Sequence, residues 1–565
     1  MWQFARQSVE DINLNDLTVN QAFLNITSRQ LDKLWMYTLS SDCIRCPFTR
    51  SREVEGLNQY LVKFDASRSL EWQFFNQDQG RYALDNVTPF CTIKPTGLGP
   101  KGVFNIDIRA GRCDFEVTLP PTSYNLAVLY ALLILAGVLV LIYSGNYAYR
   151  RFKRSRQPSV VNSDVEVEKP RPSRTRIRSL DAFRGTAIVL MIFVNSGGGA
   201  VWWIEHATWN GLYVADLVFP WFIWIMGVCI PMSIKSQVSK NVSKPKVLWT
   251  IFVRSVKLFF IGFCLNSRSG SFEDVRIMGV LQRFGISYFI VASVYVLLYI
   301  HPKDVLPNGK IKRAFYDIYI LGHQWFVMLC LAAMHVVITF ALPVPGCPKG
   351  YLGPGGKQDN GLYTSCIGGA TGYVDEKILG LNHIYRWPTA GSVYDASAFD
   401  PEGMVGCLTT FLQVFIGLQC GVTLMVYTEW KQRITRMLIW SVALGIFGGA
   451  LCLFSQEGGV IPINKNLWSL SFVFATSALA YILLTFFYVM IDVLKWWTGT
   501  PLVYAGMNSI LLYVGHSVVG SMFPWRWRIG PMNSHLVLLV ENIWHAGVWV
   551  VVSYYFYCKK IFVSV

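Results

Sequence analysis

Three polar side chains stand where apolar runs end: Asn195 in Val194-Asn195-Ser196-Gly197-Gly198-Gly199, His206 in His206-Ala207-Thr208-Trp209-Asn210-Gly211, and Asp216 in Val214-Ala215-Asp216-Leu217-Val218-Phe219-Pro220-Trp221. The set suits acyl transfer to an amine, which needs a base to strip an ammonium and a donor to hold a developing oxyanion. With an ordinary pKa of ~6.5, His206 fits the role of base or of transient acyl acceptor. Asp216 would orient the imidazole or bind the ammonium, and Asn195 would donate to the acyl oxygen. The same spacing admits a plainer account, in which His206 lies in a headgroup zone among tryptophans and Asp216 only caps a helix. Spacing alone does not choose between them.

Other polar groups interrupt apolar segments, where a charge at a helix centre costs ~2.5–3.5 kcal/mol on insertion scales. Arg184 lies at the opposite end of one segment from Asn195, and Arg254 and Lys257, at i and i+3, share a helix face in another. These three would neutralise the phosphates of a nucleotide-bearing cofactor, or else snorkel to the interface. No Walker loop and no GxGxxG after a strand is present, so soluble kinds of phosphate cradle are not supported. Asn508 adjoins Ser509, Tyr513 and His516, which fall at i, i+4 and i+7. That stripe either lines a tunnel for the cofactor or bonds one helix to another. Glu541 and His545 lack a third ligand nearby and read as a structural pair, so no metal is expected. Cys43-x-x-Cys46 admits a redox motif or half a zinc site, but no second CxxC or His pair accompanies it, and a structural disulfide is expected.

Such residues need a membrane scaffold to position them. Of 565 residues, 53% are hydrophobic and only 15% charged, and the mean hydropathy is positive, more apolar side chain than a soluble core usually holds. The net charge of +16 includes a basic cluster from Arg150 to Arg178 directly after an apolar run. That is the positive-inside signature of a chain in a lipid bilayer, not a nucleic-acid face. The expected fold is a polytopic α-helical membrane protein of about 11 transmembrane helices with a small N-terminal lumenal β-rich domain. The first spanning run is Asn125 to Tyr143, in a helix at 124–143, and a disordered basic cytosolic linker follows at 144–179. Residues 180–565 hold ten more segments, at approximately 183–200, 214–233, 248–266, 280–300, 322–342, 406–427, 438–455, 467–491, 501–521 and 535–556.

Residues 1–123 alternate in short runs such as Tyr60-Leu61-Val62-Lys63-Phe64 and Phe104-Asn105-Ile106-Asp107-Ile108, which read as strands. Met1 to Asn20 lacks the apolar core of a signal peptide. Sequons at Asn25 and Asn86, and the cysteines Cys43, Cys46, Cys91 and Cys113, fit an oxidising compartment. Alternating sides from a lumenal N-terminus places the Lys- and Arg-bearing loops 235–246, 302–313, 429–436 and 492–499 and the tail Lys559-Lys560 in the cytosol. A third sequon, at Asn241, then falls in the cytosol and is expected to stay unused. The insertion at 343–405 falls in the lumen with Cys347 and Cys366, a plausible third disulfide.

Leu180-Asp181-Ala182-Phe183-Arg184-Gly185 and the three motifs around Asn195, His206 and Asp216 closely resemble the heparan-α-glucosaminide N-acetyltransferases of the lysosomal membrane. So do Leu342-Pro343-Val344-Pro345-Gly346-Cys347-Pro348, Asp400-Pro401-Glu402-Gly403, Asn464-Lys465-Asn466-Leu467-Trp468-Ser469 and the stretch from Met507 to His516. The resemblance is specific from Leu180 to the C-terminus and looser before it. It implies an eleven-span enzyme, usually a homodimer, that takes acetyl-CoA from the cytosolic side and acetylates the terminal non-reducing glucosamine of heparan sulfate. It also implies His206 as the active histidine with Asn195 and Asp216 beside it, and His383, Asp400 and Glu402 at the sugar. The sequence departs from the vertebrate pattern at Ser196, where Tyr is familiar, and at Asn382-His383, in place of an Asp-His pair, as an invertebrate orthologue would. The competing classes are a secondary transporter of a lumenal sugar or anion, for which no inverted repeat is found, and a membrane acyltransferase with another acceptor.

Overall fold

The computed structural model describes residues 8–9, 12–83, 86–155, 176–267, 271–299 and 315–563. Most of the 144–179 linker and the basic stretch 302–313 lie outside them.

The alternating N-terminal runs pair into two four-stranded sheets. One has the order β8 (Arg112–Leu119), β7 (Val103–Arg109), β1 (Gln21–Ser28), β4 (Gln59–Asp65), with β1 and β7 parallel. The other runs β3 (Thr49–Val54), β2 (Leu34–Ser40), β5 (Leu70–Phe75), β6 (Cys91–Ile93), all antiparallel. Leu24, Ile26, Trp72, Phe74, Phe104 and Ile106 face inward from both sheets and form the sandwich core. The Cys91–Cys113 disulfide ties β6 to β8, and so one sheet to the other, while Cys43 joins Cys46 and Cys347 joins Cys366. Asn86 is exposed. Asn25 lies inside β1, only 7% exposed, its Oδ1 accepting from Gln59 Nε2 at 2.9 Å.

The membrane part comprises α1 (Tyr124–Ser155), α2 (Arg178–Asn195), α3 (Val214–Val238), α4 (Lys244–Asn266), α5 (Val280–Leu297), α6 (Gly322–Ala341), α7 (Val405–Val426), α8 (Trp430–Leu451), α9 (Leu470–Phe487), α10 (Leu502–Met507), α11 (Ser509–Val519) and α12 (His535–Cys558). Among the described residues, nine helices are long and apolar enough to cross a membrane. Two of the eleven expected segments differ, each for a visible reason. Arg178, Asp181 and Arg184 make the start of α2 polar, and the tenth segment is broken at Asn508 into α10 and the short α11. The first helix also runs beyond Tyr143 to Ser155.

Close backbone packing fixes the bundle. A Cβ on Gly185 would fall 1.9 Å from the Leu502 carbonyl oxygen, and one on Gly506 1.9 Å from that of Asp181, so α2 and α10 touch where only glycine fits. The central helix α7 is almost wholly buried and lies against α3. On the side of the β sandwich the loops interlock. Trp209 Nε1 donates to Leu352 O at 2.8 Å, Asn464 Nδ2 to Asn210 Oδ1 at 2.9 Å, and Asn20 Nδ2 to Ala200 O at 3.3 Å.

Candidate active site

The loop from Trp202 to Tyr213 joins α2 to α3 on the sandwich side. Gly197, Gly198 and Gly199 all take positive φ, which lets the chain turn sharply out of α2. Asn542 of α12 holds that turn from both sides, accepting from Gly199 N at 2.7 Å and donating to Ser196 O at 3.1 Å.

His206 Nδ1 donates to Asp216 Oδ1 at 2.7 Å. The other carboxylate oxygen accepts from Ala207 N and Tyr213 N, each at 3.1 Å. The Asp216 side chain is 1% exposed and His206 38%, so the carboxylate is internal and the largely enclosed ring keeps an accessible edge. Because a carboxylate only accepts, the ring proton sits on Nδ1 and the Nε2 lone pair is left for chemistry.

Lys465 completes this group, although the sequence reading gave it no role. Its Nζ lies 3.1 Å from His206 Nδ1 and 3.3 Å from Nε2, and 4.0 Å from Asp216 Oδ1. Near-equal distances to both ring nitrogens mark a charge set beside the ring rather than a donor aimed at one lone pair. The loop carrying it is pinned, since Asn464 Oδ1 accepts from Leu467 N at 2.9 Å and Gly211 N donates to Ile463 O at 2.8 Å. Burial lowers the His206 pKa and the Lys465 ammonium lowers it further, outweighing the pull of Asp216. The neutral base therefore survives to lower pH than in an ordinary histidine.

A second charged group adjoins the first. Arg276 grips Asp400 with two bonds, Nε to Oδ2 at 2.8 Å and Nη2 to Oδ1 at 2.6 Å, and reaches Glu402 Oε2 at 2.5 Å. Burial would raise the Glu402 pKa, but Arg276, Lys465 and Arg283 together hold it below the usual value. Asp400 and Glu402 thus sit together near the histidine with Arg276 as counter-charge. His383 Nδ1 donates to Val275 O at 2.8 Å, which ties it to the same loop.

Asn195 does not bond to His206. Its amide donates to His516 Nε2 at 3.0 Å, and His516 Nδ1 donates in turn to Leu512 O at 3.0 Å. Tyr513 stands edge-on to His516 at 5.4 Å between ring centres, and Ser509 is half-buried at the head of α11. Asn508 is occupied elsewhere, its side chain tying down the C-terminal tail through Ile561 O at 3.1 Å and Val563 N at 3.0 Å. Glu541 and His545 do not pair with each other: Glu541 lies 3.6 Å from Arg526, and His545 Nδ1 meets Ser196 Oγ at 3.1 Å.

At the other end of α2, Arg184 pairs with Asp181, which also accepts from Arg176 Nε at 2.6 Å. Arg254 lies 4.7 Å over the Tyr288 ring, and Nε of both Arg184 and Arg254 is buried without a hydrogen-bond partner. Lys257 is exposed on α4.

A family model described as a domain of unknown function (DUF5009) matches residues 176–300, the stretch from α2 to α5 that holds Asn195, His206 and Asp216. The chain is 40% identical over 590 aligned residues to mouse heparan-alpha-glucosaminide N-acetyltransferase, covering 97% of this chain and 89% of the mouse protein. It is 40% identical over 488 aligned residues to the human protein of the same name, covering 80% of this chain and 73% of the relative. Identity at that level over nearly the whole length, with His206, Asp216 and Lys465 assembled at one mouth of the bundle, settles the relationship: this chain belongs to the heparan-alpha-glucosaminide N-acetyltransferase family.

Proposed function

We propose that the protein transfers acetyl from acetyl-CoA, taken from the cytosolic face of the lysosomal membrane, to the amine of a terminal non-reducing glucosamine of heparan sulfate in the lumen. One observation carries the reading. A histidine with its proton fixed on Nδ1 by a buried carboxylate, and its pKa lowered by burial and a neighbouring ammonium, is a base suited to an acidic compartment. The positive loops read from the sequence support a lumenal N-terminus and a cytosolic C-terminus, and the family pattern supports a homodimer.

In this scheme His206 Nε2 takes one proton from the sugar ammonium. The freed nitrogen adds to the thioester carbonyl carbon, forming the C–N bond, and Lys465 stands where the oxyanion develops. Collapse breaks the C–S bond. The second N–H proton goes to the departing thiolate, and the imidazolium returns its proton to water. Asn195, held by His516, is a second donor toward the acyl group. Asp400 and Glu402 offer acceptors to the sugar hydroxyls and ammonium, with His383 beside them. The buried, unpartnered Nε atoms of Arg184 and Arg254 fit an anionic ligand such as the CoA phosphates at the opposite end of α2. Lys257 is the weakest member of that set because it is exposed, and the tail-bound Asn508 acts at most by shaping the α10–α11 break.

Purified protein should form N-acetylglucosamine from acetyl-CoA and glucosamine; no product would overturn the reading. The histidine environment adds a pH signature. Lys465→Met removes a lowering influence, so the His206 pKa should rise and more of the ring should be protonated at pH 5. The acid limb of kcat/KM should move to higher pH, by about one unit. Ionisation of the sugar amine is common to both proteins and cancels in the comparison. An unmoved limb would show that Lys465 does not set the base.

A further inference from the structure

The loop that carries His206 has a second working side. Facing the β sandwich, it helps enclose a cavity of about 400 Å³, within the size range of small-molecule sites. Trp202, Thr208 and Tyr213 of the loop form one wall, and Ser67, Asp42 and Arg68 of the sandwich form another. The arrangement is built rather than incidental. Arg68 Nε lies 2.8 Å from Asp42 Oδ2, and Thr208 Oγ1 donates to the same oxygen at 2.9 Å. The guanidinium lies 4.4 Å over the Trp202 ring and 5.4 Å from that of Tyr213, and the two rings meet edge-to-face at 5.6 Å.

Arg68 and Asp42 pair with each other, and Glu457, also on the wall, accepts from Asn210 Nδ2 at 2.9 Å, so the cavity offers fixed donors and acceptors beside aromatic surface. A pyranose ring matches that make-up, with hydroxyls at its rim and C–H groups on its faces. Tyr213 joins the cavity to the chemistry, since its ring lines the space while its backbone N–H supports Asp216 at 3.1 Å. Thr208 is likewise close in sequence to His206. We infer that the cavity is a second carbohydrate subsite, holding the sugar next to the acceptor residue in an oligosaccharide chain; this rests on the acceptor reading above. The β sandwich is thereby part of the acceptor site.

The test compares kcat/KM for free glucosamine and for a heparan-derived tetrasaccharide ending in glucosamine, with acetyl-CoA and the full-length protein. The native chain should favour the tetrasaccharide by about tenfold, the scale of one well-placed aromatic contact. Trp202→Ala, which removes a wall, and Ser67→Trp, which fills the space from the sandwich, should each bring the ratio toward one. A ratio taken within each variant is insensitive to any inactive fraction. Equal use of both acceptors by the native chain, or a preference that survives both substitutions, would overturn the subsite alone. Failure of the native chain to acetylate either acceptor would overturn the acceptor reading and the subsite with it.

Discussion

His206→Ala should lower acetyl transfer by at least ~10³-fold while leaving a folded protein that still binds acetyl-CoA. The expected loss is large because the other groups around the ring cannot take its place. Lys465 has no lone pair to offer while charged, Asp216 is buried and turned toward two backbone N–H groups, and Asn195 is directed at His516. The substitution also leaves Asp216 without its closest partner, so thermal stability should be followed alongside turnover. His206→Gln keeps a donor near Asp216 and isolates the loss of the base from the loss of support. Near-native turnover in both variants would remove His206 from the mechanism. Labelled acetyl-CoA supplied without sugar adds a second readout: a base that acts directly leaves no stable label on His206, whereas an acyl-imidazole route leaves it there.

Asp216→Asn should cost nearly as much, about 10³–10⁴-fold, with little change in overall shape. The reason lies in the direction of hydrogen bonds. Oδ2 of Asp216 is held by Ala207 N and Tyr213 N, and these donors would capture the single amide oxygen of the variant. Its NH₂ group would then face His206 Nδ1, which must become the acceptor. The ring proton moves to Nε2, and the lone pair needed for the amine disappears. A variant that binds both substrates, keeps its melting temperature and still turns over normally would contradict this role for the carboxylate.

The contact of His206 with Asp216 follows from nearness in the chain: the loop that carries His206 runs directly into α3, whose first turn holds Asp216. Lys465 is separated from His206 by 259 positions, and no local pattern could place it there. Its signal was a cation in a loop on the side where the positive-inside rule expects few, and the same holds for Arg276. Asn195 stands at the end of α2 nearest His206, but its hydrogen-bond partner His516 comes from α11, far along the chain. Long apolar runs announced most spans. They did not announce the break at Asn508, whose side chain holds the C-terminal tail.

The central claim is transfer across the membrane rather than transport through it. Protein reconstituted in sealed vesicles, with acetyl-CoA supplied at the face bearing the basic loops and glucosamine at the face bearing the β sandwich, tests this directly. N-acetylglucosamine should accumulate on the sandwich side, free CoA on the other, and His206→Ala vesicles should form neither. Movement of unmodified sugar across the bilayer without acetylated product would contradict it.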